Sequence, residues 1–133
     1  MLDISALERA VDRLQEGLVR YRLDVSDTQI RDGLIQRFEF TYELSHKTLK
    51  RYLTAVSPTP DEYQQMTFQD LIRSANDRGL LRSDWPTWRK FREMRGKTSH
   101  TYDEETALQV VAGIPQFLTE AVYLRDQLRQ RLP

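Results

Sequence analysis

The chain has 133 residues, with 20 basic and 20 acidic side chains and no cysteine, a length that suits one domain spanning residues 1–133. The charge balance excludes a whole-molecule field that would draw it to nucleic acid, and the missing cysteines exclude disulfides and thiolate metal sites. No apolar run approaches the roughly 20 residues that span a bilayer, and Met1-Leu2-Asp3-Ile4 lacks the features of a signal peptide, so no membrane partner and a cytoplasmic location are expected.

Five glycines, five prolines and no alternating β-branched runs predict an all-α fold. The first helix is expected from about Asp3 to Leu23, with Ile4, Leu7, Val11, Leu14 and Leu18 forming a narrow apolar seam at spacings of three and four. Ser26 with Gln29 forms a candidate capping box for a second helix that reaches about Val56. On it, Leu34, Ile35, Phe38, Tyr42, Leu49, Leu53 and Val56 share one arc. Phe40 falls on the opposite side, near Lys47, and is a candidate partner-binding residue; single exposed aromatics are also common. His46 lies at the edge of the arc and reads as a structural histidine.

A proline-punctuated loop follows over residues 57–66. Thr67 with Asp70 opens a short helix, and Gly79 suits the position just past its end. Ser83, Asp84 and Pro86 announce a fourth helix whose first residue is ambiguous, because Pro86 disfavours α geometry at Trp85. Thr101 with Glu104 caps a last helix, on which Ala107, Val110, Ile114, Phe117, Ala121, Leu124 and Leu128 face the core and Pro115 introduces a kink. Short joins between these segments predict an antiparallel bundle of four to five helices. The narrow seams of the first and last helices, together with Phe40, leave apolar surface, from which a homodimer is expected.

The segment Arg95-Gly96-Lys97-Thr98-Ser99-His100-Thr101-Tyr102 gathers the chemistry. A guanidinium grips phosphate in bidentate fashion, an imidazole moves protons near neutral pH, and a phenol accepts a modifying group. A helix end followed by a turn explains the same residues. Taking Trp88 as the centre of the fourth helix's apolar arc, Arg92 falls at about 40° and Arg95 at about −20°, so both arginines lie within it. If Thr101 is the cap, His100 stands just outside the last helix and Tyr102 in its first turn, and Arg95, His100 and Tyr102 converge on one cleft. Unpaired N–H groups of the last helix would floor that cleft, although Asp103, Glu104 and Glu105 oppose an anion there. Arg92, Lys97 and Ser99 are its candidate substrate- or partner-binding residues. Residues 82–97 hold six basic and two acidic side chains, which with Trp85, Trp88 and Phe91 makes a modest RNA surface or simply core. The two histidines lack metal-ligand spacing, and no phosphate-cradling glycine loop appears, so no cofactor is expected in this chain.

Three separated motifs, Arg37-Phe38-Glu39-Phe40-Thr41-Tyr42-Glu43-Leu44, Lys47-Thr48-Leu49-Lys50 and Thr98-Ser99-His100-Thr101-Tyr102-Asp103-Glu104, resemble the nucleotidyltransferase substrate-binding-protein-like family of the HEPN superfamily, whose toxin members are called HepT. The resemblance covers nearly the whole chain. It implies a dimeric helical bundle partnered by a small nucleotidyltransferase (MNT), which would carry the ATP and Mg²⁺. It also implies metal-independent RNA cleavage by Arg95 and His100, which match the superfamily's Arg and His with four residues between them. Tyr102 matches the tyrosine that receives AMP from the partner. The chain departs from the pattern at Gly96, where HEPN nucleases commonly carry a polar residue, often Asn, and at His46, where the family often has tryptophan. The resemblance equally admits a non-catalytic role, a substrate- or nucleotide-binding subunit of a two-chain nucleotidyltransferase.

Overall fold

A computed structural model describes residues 2–133. The described residues form six α-helices and no strand: α1 (Ser5–Leu23), α2 (Thr28–Val56), α3 (Asp61–Gln64), α4 (Phe68–Asp77), α5 (Trp85–Lys97) and α6 (Glu104–Arg131), with a single 3₁₀ turn at Thr98–His100 between α5 and α6. The long helices α1, α2, α5 and α6 make the bundle. α1 packs chiefly along α2, α6 packs against α1, α2 and α5, and α4 lies against α2 and α5.

The apolar spacing sets what each helix buries. Ile4, Leu7, Val11, Leu14 and Leu18 of the first seam are buried, as are Ala107, Val110, Ile114, Phe117, Ala121, Leu124 and Leu128 of the last. Phe117 is the hub. Its ring lies 4.9 Å from Phe38 and 5.2 Å from Phe91, both edge-on, and 6.1 Å from Trp88, tying α2, α5 and α6 together. α6 has the length and composition of a membrane-crossing helix, but its most apolar face is this bundle core. It runs unbroken through Pro115.

Both seams are thus filled within the chain. The large apolar side chains left exposed lie elsewhere, at Val19, Leu23, Val25, Phe40, Val56 and Leu108. Phe40 is 50% exposed, as its position on the wheel implies, whereas Val56, placed in the apolar arc by periodicity, ends α2 in solvent.

The capping residues explain where the helices begin. Thr67 caps α4 by accepting from Asp70 N–H, and Gly79 closes it with φ 76° while Leu80 N–H reaches Ala75 C=O at 3.0 Å. Asp84 caps α5, so that Pro86 falls in the first turn, where its missing N–H costs nothing. Two expected caps are displaced. Ser26 donates its hydroxyl to Asp24, and Asp27 instead accepts from Gln29 and Ile30 N–H at 3.1 Å each. Thr101 donates to Thr98 C=O, and Asp103 caps α6 by accepting from Thr106 N–H at 3.0 Å.

α5 and α6 approach closely at Gly113. A Cβ there would meet Met94 Sδ at 2.5 Å, so any larger residue makes the end of the methionine side chain move.

Candidate functional site

The motif spans the α5–α6 junction. Arg95 stands in the last turn of α5, Thr98 caps that helix, and His100 ends the 3₁₀ turn. Thr98 ties the turn together by donating its hydroxyl to Arg95 C=O at 2.7 Å.

Arg95 is gripped from α2. Its Nη2 lies 2.5 Å from Glu43 Oε1 and 3.6 Å from Glu39 Oε1, and its Nη1 donates to Thr98 Oγ1 at 3.1 Å. The Glu43 hydrogen bond is the first reason the guanidinium's pKa is raised, with the charges of Glu39 and Glu43 adding to it. The wheel placed Arg95 inside the apolar arc; its side chain is part-exposed, and the anion it needs comes from its own chain. Below it, burial pushes the Tyr42 phenol up to about 12, opposed by the charges of Arg92 and Arg95.

His100 and Tyr102 sit differently. Both are exposed, Tyr102 by 88%, and their ring centroids lie 6.2 Å apart, edge to face. Neither side chain has a hydrogen-bond partner among the described residues. The motif is thus an open surface, not the enclosed cleft expected from a Thr101 cap. Because α6 begins at Glu104, Tyr102 stays outside the helix and projects into solvent. The expected anion-binding floor is absent too: the Asp103 carboxylate takes Thr106 N–H, and Glu104 and Glu105 fill the first turn.

The remaining candidates disperse. Arg92, expected inside the apolar arc, is exposed and lines a shallow cavity of about 320 Å³ with Trp85, Arg89 and Glu93. A long side chain rooted within the arc can still carry its charged head to water. Lys97 donates to Gln109 of α6 at 3.2 Å, and Ser99 is exposed. Of the aromatics interleaved on α5, Trp88 and Phe91 are core and Trp85 is half-buried. His46 packs its ring 4.5 Å from Phe68, and burial, then Lys50 and Arg92, hold its pKa below the usual 6.5, as suits a structural histidine. Glu39 and Glu43 were not singled out in the sequence; their spacing of four on α2, flanking its apolar arc, was the available signal.

The chain matches the family described as nucleotidyltransferase substrate binding protein like over residues 2–130. It is 39% identical to a Haemophilus influenzae protein named probable ribonuclease HepT, over 98% of this chain and 94% of that protein. A solved Haemophilus influenzae structure, described as revealing the fold of a substrate binding domain of a nucleotidyltransferase, matches with a TM-score of 0.89 at 36% identity, over 96% of this chain and 99% of the other.

Proposed function

The chain belongs to the nucleotidyltransferase substrate-binding-protein-like family, and from that premise we propose that it is a HepT-like toxin subunit, a metal-independent endoribonuclease held in check by a small MNT-type nucleotidyltransferase. The observation that carries this reading is Arg95, fixed and charged at the end of α5, with an unpartnered His100 imidazole five positions on. In the reaction, an RNA 2′-oxygen attacks the adjacent phosphorus and the bond to the 5′-oxygen breaks. The proton lost from the 2′-hydroxyl is balanced by one gained at the leaving 5′-oxygen. Arg95 holds the phosphate through N–H groups that Glu43 and Thr98 leave free, and His100 transfers the proton.

The exposed Tyr102 phenol is the AMP acceptor in this reading. The partner, with ATP and Mg²⁺, joins the phenolic oxygen to the α-phosphorus and releases pyrophosphate. The attached AMP brings negative charge beside His100, where it competes with RNA phosphate for Arg95. Two copies of the chain pair through apolar side chains left exposed, among them Val19, Leu23 and Phe40.

A second reading, a non-catalytic nucleotide- or substrate-binding subunit, is favoured by Gly96 and by the commitment of Arg95 to Glu43 and Glu39. Expression of the chain with and without its partner separates the two. RNA cleavage by the chain alone, lost in Arg95→Ala and in His100→Ala, supports the nuclease; cleavage that survives both removes it. Intact mass after incubation with partner, ATP and Mg²⁺ tests the modification, which fails if no AMP increment appears or if the increment persists in Tyr102→Phe.

A further inference from the structure

Along α2 from the Arg95 grip, the charge on the helix surface reverses sign. Lys47, Lys50 and Arg51, with Thr54, Ala55 and Gln64 of α3, line an open groove of about 470 Å³. None of the three cations forms an ion pair or a side-chain hydrogen bond among the described residues. They are therefore free of direct ion pairs, although Asp61 and Glu62 stand on the same short helix as Gln64.

The groove continues from the motif. Lys47 and Lys50 follow Glu43 by four and seven positions, so they share its face of α2, and Glu43 is the carboxylate that holds Arg95. Trp85, half-buried beside Arg92, adds an aromatic edge on α5. Along the helix axis, Lys47 and Lys50 lie about 6 and 10 Å beyond the level of Glu43, at which Arg95 is held. One phosphate at Arg95 cannot reach that far, but a polynucleotide backbone carries a negative charge at every nucleotide and can. Much of the lining surface is aliphatic stem, but it belongs to charged and polar residues, with Ala55 the one apolar residue, so the groove lacks the aromatic anchors of a protein-binding hot spot.

We propose that Lys47, Lys50 and Arg51 form a phosphate-tracking subsite that holds the backbone of single-stranded RNA next to the bond at Arg95. The proposal rests on the ribonuclease reading of Arg95 and His100 and gives its substrate a direction, running from the α5–α6 junction toward the C-terminal end of α2. The cations provide sequence-independent attraction, with counterion release as its signature.

The test uses full-length His100→Ala protein, so that RNA stays intact, and a fluorescein-labelled single-stranded RNA read by anisotropy over a salt series. Adding Lys47→Gln, Lys50→Gln and Arg51→Gln is expected to weaken binding about tenfold or more at low salt. The slope of log affinity against log salt should become shallower by about 2, from roughly 0.7 for each of three lost phosphate contacts. An unchanged thermal midpoint confirms that the variant is folded. Equal affinity and slope in the two proteins overturn the subsite. So does unchanged RNA binding with loss of nucleotidyltransferase co-purification, which makes the groove a protein interface. Cleavage by the wild-type chain is scored separately. Groove-dependent binding without any cleavage removes the nuclease reading and leaves the subsite standing, whereas cleavage with groove-independent binding does the reverse.

Discussion

Replacing Glu43 with alanine removes the carboxylate that grips Arg95 Nη2, while Glu39 stays 3.6 Å away and Thr98 keeps its hydrogen bond. The Arg95 and Glu43 side chains are 32% and 41% exposed, so water screens the pair, and its loss costs the fold about 0.5–1 kcal/mol. For a chain of this size the thermal midpoint then drops by about 2–5 °C. Two effects on cleavage follow. An arginine side chain carries about 2 kcal/mol of rotamer entropy, and if Glu43 suppresses half of it, release costs about 1 kcal/mol of alignment, roughly fivefold in kcat. The same substitution removes a negative charge near the bound phosphate. At about 6 Å and an effective dielectric near 50 that repulsion is about 1 kcal/mol, so KM falls by a similar factor. Steady-state cleavage of a fluorogenic RNA, alongside calorimetry, checks both. The expected outcome is kcat and KM falling together with kcat/KM nearly constant. A rise in KM at unchanged kcat, or a midpoint lowered by more than about 10 °C, would refute the assignment of Glu43 as an orienting group.

Other outcomes follow from the same structure. A Cβ at Gly96 meets open space, so Gly96→Asn is expected to fold at least as well, gaining about 0.3 kcal/mol in helix propensity, and to raise the cleavage rate; an unchanged or slower rate removes the expectation that a polar residue after Arg95 aids cleavage. Gly113→Ala sets its methyl against the flexible end of Met94, a clash of about 1–2 kcal/mol that roughly 1 kcal/mol of helix propensity offsets, so urea titration should show a net loss of no more than about 1 kcal/mol, and a larger loss would show that Met94 cannot move aside. Burial, with Lys50 and Arg92, holds His46 below its ordinary 6.5, so the unfolded chain binds that proton more readily. Its contribution is present above that pH and is lost as pH falls through the depressed folded value. Urea midpoints between about pH 7 and pH 5 should therefore decline less steeply in His46→Gln, and an identical slope would show that His46 does not contribute.

The helical architecture was legible because burial in a bundle imposes the three-and-four spacing. Every residue assigned to the core face of the last helix, from Ala107 to Leu128, is buried there. Helix starts were legible to within a residue or two. Hydroxyl and carboxylate caps compete locally: Ser26 is diverted to Asp24 and Thr101 to Thr98, so a nearby aspartate takes the cap in both cases. That small shift matters at the site, since it puts Tyr102 in solvent and not in the first turn of α6. Periodicity placed Arg95 and Arg92 inside the apolar arc, but a wheel records direction and not reach, and so Arg95 is only half-buried and Arg92 is exposed. The Glu39 and Glu43 grip on Arg95 joins α2 to α5 across some fifty positions; their spacing of four showed that the two carboxylates share a face, but not which cation they hold.

The central claim, RNA cleavage by Arg95 and His100 without a metal, is tested most directly by the chemistry of the product ends. Purified chain, freed of any partner, is incubated with a defined single-stranded RNA in excess EDTA, and the fragments are analysed by mass spectrometry. The account predicts 2′,3′-cyclic phosphate on the upstream fragment and 5′-hydroxyl on the downstream one, with neither formed by His100→Ala or Arg95→Ala. Fragments ending in 5′-phosphate, cleavage that stops with EDTA, or identical products from both variants would contradict it.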